Sequence, residues 1–374
     1  MSDSGEKKNL ERRVFIRSAA SLAGVAALMP GCFLNQRGAD EWVHVRRRMK
    51  SEGGGPEPLP ATRIYPPMPR AVVSAVGAAG AIEAAVREAV EAAGGLQEIE
   101  KGQRVMIKPN MCGPAIKDKY PGRITTNPEV IRAVIRLVKE RGAKPMVGDR
   151  AMFMTEDSFV YAGFAKVCRD EGAVAFPWTR SEYVRFFPKR RHWSQGFRIP
   201  KILTQVDHFI NVPLLKNHGV QGAMFTCCLK SFVGVCMPLD RHQEGPDALH
   251  TNNVSEKIAE LNLSLKPLIN IVDATEIMVR GGPDGMKKEL NVWAKPNLIL
   301  ASKDRVACDS LAVAVLKRYA SEAKVDMPYV NKRVWDQVQI YYAAELGIGQ
   351  ADPAQITLEN LQAPRFDEIK ANWA

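Results

Sequence analysis

The seven cysteines contain no Cys-x-x-Cys series, which excludes the closely spaced thiolates of a ferredoxin-type cluster within this chain. The six histidines include no His-Glu-x-x-His and no close-spaced pair, so the usual zinc-hydrolase signature is absent too. The glycine-rich stretch from Val279 to Gly285 matches neither a Walker loop nor a dinucleotide fingerprint, and no P-loop nucleotide or nicotinamide site is expected. That stretch reads either as a hairpin turn or as a flap over a crevice. There is no repeat at a solenoid period. Beyond the N-terminal region no apolar run approaches membrane-spanning length, so the rest of the chain is expected to be soluble. The basic runs Arg46-Arg47-Arg48 and Lys189-Arg190-Arg191 lack interleaved aromatics for base stacking. Much of the +11 formal charge lies in the first fifty residues, and no nucleic-acid partner is expected.

What is present begins with an address. Arg12-Arg13-Val14-Phe15-Ile16-Arg17 precedes an apolar stretch from Ala19 to Met29 that is too short to span a bilayer and lacks the polar face of an amphipathic helix. The paired arginines with Phe15 resemble a twin-arginine export signal, whose transporter carries folded proteins. Residues 1–35 are therefore expected to be an export signal that engages that machinery, placing the protein in the periplasm. Cys32 after Gly31 leaves open either lipid attachment at the N-terminus or plain cleavage. Residues 36–69 include the Gly/Pro-rich run from Ser51 to Pro69 and read as a linker.

Residues 70–374 alternate short apolar runs with helical patterns, which predicts an α/β fold: a mostly parallel, doubly wound sheet with helices on both faces, in one large domain or two lobes. The clearest unit is 125–149. Asn127 can cap a helix, Pro128 suits its first turn, and Val130, Val134 and Leu137 share a face with Ile131, Ile135 and Val138. Gly142 ends the helix and a strand runs to Asp149. Other strands are expected at 71–76, 104–108, 208–215, 268–274 and 297–302, with helices at 223–235, 254–265, 304–319 and 331–345.

In a parallel sheet, ligands collect beyond the carboxyl ends of the strands. Lys108 and Asn110, Asp149 and Arg150, Lys216 with Asn217 and His218, Asp273, and Asp304 with Asp309 all follow expected strands. This clustering points to one crevice. His218 is the candidate acid/base, because imidazole titrates near neutrality. Lys216, Asp149 and Asp273 complete the catalytic set, while Lys108, Asn110, Thr226 and Lys230 are the candidate substrate-binding residues. Thr226 and Lys230, four residues apart on the helix expected at 223–235, would share a face and could hold a phosphate or carboxylate. Asp149 and Asp273 have the alternative of capping neighbouring helices or turns, His218 that of a satisfied structural group, and Lys230 that of a solvated lysine.

A divalent metal held by Asp and His remains open, as does convergence of Cys112, Cys227, Cys228 and Cys236 on a metal or cluster. The Cys227-Cys228 doublet otherwise reads as two small buried residues, and an oxidising exterior would permit a disulfide whose pairing is undetermined.

The stretches "VMIKPNM", "TTNPEVIRAVIRLVKERGAKPMVGD", "INVPLLKNHGVQGAMFTCCLKSFVGV", "INIVDATEIMVRGGPDG" and "ILASKDRVACDSLAV" together resemble the bacterial and archaeal family called domain of unknown function 362, over about residues 70–320. The resemblance places a Lys and a His of the family pattern on Lys216 and His218. It places a later Lys-Asn pair on Lys230 and Ser231, where serine replaces the amide. Some relatives carry a ferredoxin-like iron–sulfur segment that this chain lacks.

Two functions are therefore expected to compete. One is an exported enzyme acting on a small anionic molecule by Lys/His/Asp acid–base or metal-assisted chemistry. The other is a cofactor-binding or electron-transfer protein with a redox partner, for which folding before export would be useful.

Overall fold

The computed structural model describes residues 66–113, 122–151, 155–188, 192–218, 224–242, 248–281, 291–360 and 366–373, all within one unit. The expected export signal, nearly all of the expected linker, the Lys189-Arg190-Arg191 run and most of the glycine-rich stretch after Gly281 lie outside the described residues.

β1 (Ala71–Gly77) leads into α1 (Ile82–Ala92), which buries Ala85, Val86, Ala89 and Val90 at three- and four-residue spacing. β2 (Arg104–Pro109), α2 (Pro128–Glu140) and β3 (Lys144–Val147) form the expected crossover unit. Asn127 caps α2, its side-chain oxygen accepting the Glu129 N–H at 3.0 Å, and Pro128 occupies the first turn. Gly142, at φ +73°, reverses the chain in a conformation that side-chain-bearing residues rarely adopt. α3 (Thr155–Tyr161) and α4 (Phe164–Glu171) precede the short β4 (Val174–Ala175), and β5 (Tyr183–Phe186) pairs with β6 (Phe197–Pro200) in a separate antiparallel ribbon.

The next segment carries most of the candidate site: β7 (His208–Val212), β8 (Leu214–Asn217), β9 (Phe225–Thr226), α5 (Cys228–Ser231), α6 (Pro238–His242) and α7 (Val254–Leu261). β10 (Ile269–Arg280), β11 (Val292–Ala294), β12 (Leu298–Ser302), α8 (Arg305–Glu322), α9 (Val338–Glu345), β13 (Ile356–Glu359) and α10 (Phe366–Trp373) follow.

The main sheet runs β13-β1-β12-β10-β7-β2-β3-β4, with β8, β9 and β11 attached beside β10. Every pairing along that path is parallel except the two made by β12, which is antiparallel to both β1 and β10. The expected α/β architecture is present, with a core layer on each face. One layer packs α1, α2 and α4 through Val86, Val134 and Phe164. The other packs α5, α7, α8, α9 and α10 through Leu229, Ile258, Leu311, Ile340 and Trp373.

Three local expectations need correction. First, β12 does not deliver its carboxyl end to the common crevice. Its register pairs Ser302 with Asn270 at the amino end of β10, so Asp304 sits at the opposite rim. There its carboxylate caps α8 by accepting the Val306 and Ala307 N–H groups at 2.9 Å. Second, residues 223–235 are not one helix. Thr226 pairs with Lys216 in the antiparallel β8–β9 ribbon, and helical structure starts only at Cys228. Thr226 and Lys230 therefore do not share a helical face. Cross-strand pairing outweighs the helical pattern here. Third, the 208–215 run is broken at Pro213, which cannot donate to the ladder. Its carbonyl accepts the Asp273 N–H at 2.9 Å, and β8 then pairs further along β10.

Candidate functional site

The site begins where β2 and β3 end. Lys108 and Asp149 are both almost wholly buried, with Lys108 Nζ 3.0 Å from Asp149 Oδ1. Nζ also donates to the Pro109 carbonyl at 3.0 Å and to Ser231 Oγ at 3.1 Å, and it lies 5.7 Å from the centre of the Trp178 ring. Asp149 accepts the N–H groups of Met111 at 2.9 Å and Arg150 at 2.8 Å. Burial draws the lysine pKa down and the aspartate pKa up, while the charge of each partner opposes its shift. Gly234 closes over the pair. A Cβ there would stand 2.5 Å from Asp149 Oδ1 and 3.0 Å from Lys108 Nζ.

The β8–β9 ribbon supplies the next members. Lys216 is buried and donates to the Ile124 carbonyl at 2.8 Å. His218 continues the ribbon, its N–H donating to the Met224 carbonyl at 3.2 Å, and its ring stacks on His250 with centroids 6.2 Å apart. The buried His218 Nδ1 has no hydrogen-bond partner among the described residues, and neither has Thr226 Oγ1. Burial, then the charges of Lys230 and Lys216, hold the His218 imidazole well below its ordinary pKa, so it is neutral near pH 7.

Lys230 lies on α5, 7% exposed. Burial lowers its pKa to about 7, with Lys216, Arg241 and Lys108 adding to the fall and Cys112 opposing it. These groups are near enough to perturb one another. Arg241, on α6, is buried, and its Nε and Nη2 have no hydrogen-bond partner among the described residues. Its pKa is lowered first by burial and then by Arg150, while Asp149 is among the groups that raise it. Four buried basic side chains, Lys108, Lys216, Lys230 and Arg241, thus lie near the Asp149 carboxylate.

Asn110 follows β2 as expected, its N–H donating to Thr126 Oγ1 at 2.8 Å and its buried Oδ1 left without a hydrogen-bond partner. Asp273 is placed differently. It lies on the α1/α2 side of the sheet, between Ile271 and the helix cap. Its carboxylate accepts Asn127 N–H at 2.7 Å, Thr275 N–H at 3.0 Å and Thr275 Oγ–H at 2.7 Å. Lys108, one position beyond Ile107, points to the other face, toward Trp178. The structure therefore brings Lys108, Asp149, Lys216, His218 and Lys230 together and sets Asp273 apart as a brace for the start of α2. Neither aspartate hydrogen-bonds His218, whose Nδ1 has no partner among the described residues.

Arg241 and Trp178 carry no signal in the sequence that marks them for the site, and Ser231 is marked only through the family resemblance. None directly follows an expected strand.

A second group of polar atoms lies behind α5. The sulfurs of Cys227 and Cys228 and the carboxylate of Asp309 are fully buried, with ligand atoms all within 4.8 Å of one another. This donor set is suited to a soft metal ion. Cys112 and Cys236 are not part of it, and Cys236 instead donates to the Met237 carbonyl at 3.7 Å. The six described cysteines are free thiols, and no described helix is long and apolar enough to cross a membrane.

Comparison with known proteins follows these features. A thylakoid-associated protein of Synechocystis sp. is 28% identical over 295 residues, covering 76% of this chain and 84% of that protein. The lactate racemase apoprotein from Thermoanaerobacterium thermosaccharolyticum is 12% identical at a TM-score of 0.33, over 58% of this chain and 52% of that one, so about half of that chain is spanned. The family described as domain of unknown function (DUF362) matches residues 105–314, more than half of the sequence, and the chain belongs to that family.

Proposed function

We propose that the chain is an enzyme that binds a small carboxylate or phosphate among Lys108, Lys216, Lys230 and Arg241 and moves a proton on it with His218. The observation that carries this reading is the pair of buried cations, Lys230 and Arg241. Lys230 is only 7% exposed and burial draws its pKa down to about 7, while Arg241 Nε and Nη2 have no hydrogen-bond partner among the described residues. An unpaired buried cation is costly, and an anion would supply the missing charge and acceptors. The neutral imidazole of His218, with Nδ1 unpartnered, suits it to accept a proton. The Thr226 hydroxyl, also without a partner among the described residues, can donate to the ligand.

The test is calorimetric titration with inorganic phosphate and a panel of small mono- and dicarboxylates. At least one is expected to bind. Lys230→Met and Arg241→Met are each expected to weaken it by about ten- to a hundredfold, the range of a lost charged hydrogen bond. His218→Asn is expected to keep binding and to lose the depletion of an anionic metabolite from cell extract. If no anion binds, or binding is indifferent to both cation substitutions, the proposal fails.

Residues 1–35 are proposed to direct export through the twin-arginine route, which would place this chemistry in the periplasm. The second reading, a cofactor-carrying or electron-transfer protein, is favoured by the thiol and carboxylate group behind α5.

A further inference from the structure

We infer that Cys227, Cys228 and Asp309 form an enclosed structural site for one zinc-class divalent ion, tying the end of β9 and the start of α5 to α8. The geometry suits such an ion. The two sulfurs are 3.8 Å apart. Two thiolates on one tetrahedral zinc, each at about 2.3 Å, stand about 3.8 Å from each other. The carboxylate can take part while keeping its present bonds. Asp309 accepts the N–H of Cys228 at 2.7 Å, the N–H of Leu229 at 3.2 Å and Gln339 Nε2 at 3.4 Å. An ionised carboxylate offers about four acceptor positions, so one remains for a metal. The same three bonds orient the carboxylate in the way outer partners orient a ligand.

A fourth donor is at hand. Gln339 Oε1 is buried without a hydrogen-bond partner among the described residues, on the same amide that reaches Asp309. Cys308, adjacent to Asp309 on α8, also lies within hydrogen-bonding range of Cys228. Sulfur with one or two oxygens favours zinc over magnesium or calcium, which prefer oxygen alone.

Charge is conserved on loading. Buried Arg305 senses Asp304 first and then Cys228 and Asp309, so a positive charge already stands near the carboxylate while the thiols are protonated. A divalent ion that binds both sulfurs releases two protons to solvent, leaving the local sum unchanged. Cys227, Cys228 and Asp309 are all fully buried, as the ligands of a closed structural site are.

The experiment uses the full chain without an affinity tag, purified under reducing conditions without chelator. Elemental analysis is expected to find about one zinc per chain. Exchange for cobalt(II) is expected to produce a sulfur-to-cobalt absorption band, and X-ray absorption a mixed sulfur and oxygen shell with metal–sulfur distances of about 2.3 Å. Cys228→Ser and Asp309→Asn are expected to lose the metal. A folded wild-type protein that contains no metal and takes up neither zinc nor cobalt, even when refolded in their presence, overturns the site. So does a bound metal with no sulfur in its shell, or one fully retained by folded Cys228→Ser. Anion titration is read separately on the same samples, so failure of the pocket and failure of the metal site are distinguishable.

Discussion

Lys108 Nζ and Asp149 Oδ1 meet at 3.0 Å with each side chain 1% exposed, joining the ends of two parallel strands that are neighbours in the sheet. The pair belongs both to the fold and to the floor of the proposed anion pocket. Removing one partner is therefore a different experiment from weakening a surface ion pair.

Asp149→Ala leaves Lys108 buried and without its counter-charge, and also strips the Met111 and Arg150 N–H groups of their acceptor. Loss of one member of a buried pair costs about 3–5 kcal/mol. Urea unfolding followed by circular dichroism is expected to show a fall of that size. A loss under 1 kcal/mol, roughly the level of an exposed ion pair, would mean that the pair contributes little.

His218 makes stability depend on pH with a definite sign. Its folded-state pKa lies well below the ordinary imidazole value of 6.5, because burial and the lysine charges disfavour the imidazolium. The unfolded chain then binds more protons than the folded one below about pH 6.5, so stability falls as pH drops through that value and is unaffected by this group above it. Urea midpoints at pH 5.0 and 7.5 are expected to differ more for the wild type than for His218→Asn. Equal differences would show that the imidazole is not held neutral.

The twin arginines support a prediction about the cell rather than the fold. Replacement of Arg12 and Arg13 together by lysine is expected to leave unprocessed protein in the cytoplasm, whereas the wild type appears, shortened, in the periplasmic fraction. Fractionation with immunodetection reads the outcome. Indifference of export to the double substitution would point to another route.

Legibility followed the range of the interactions. The α2 unit could be read almost residue by residue, because its cap, its proline, its apolar stripe and its terminal glycine all lie within one turn or two of what they act on. Lys108, Asp149, Lys216 and His218 were found because strand ends carry a local signature. Thr226 was misplaced because its neighbours have helical spacing while its partner, Lys216, is ten residues back across a ribbon. Arg241 was missed because nothing beside it in the chain marks its approach to Asp149.

From residue order alone came the α/β class, the crossover built on α2, the polar strand ends and the family resemblance, all consequences of short-range periodicity and turn chemistry. Tertiary structure alone decided strand direction and side-chain facing. It reversed β12 and so moved Asp304 to the far rim. It turned Asp273 toward the cap of α2, and it drew Cys227 and Cys228 against Asp309, some eighty residues away. Those outcomes depend on which buried donors and acceptors find partners across the whole sheet, a condition that no window of sequence contains.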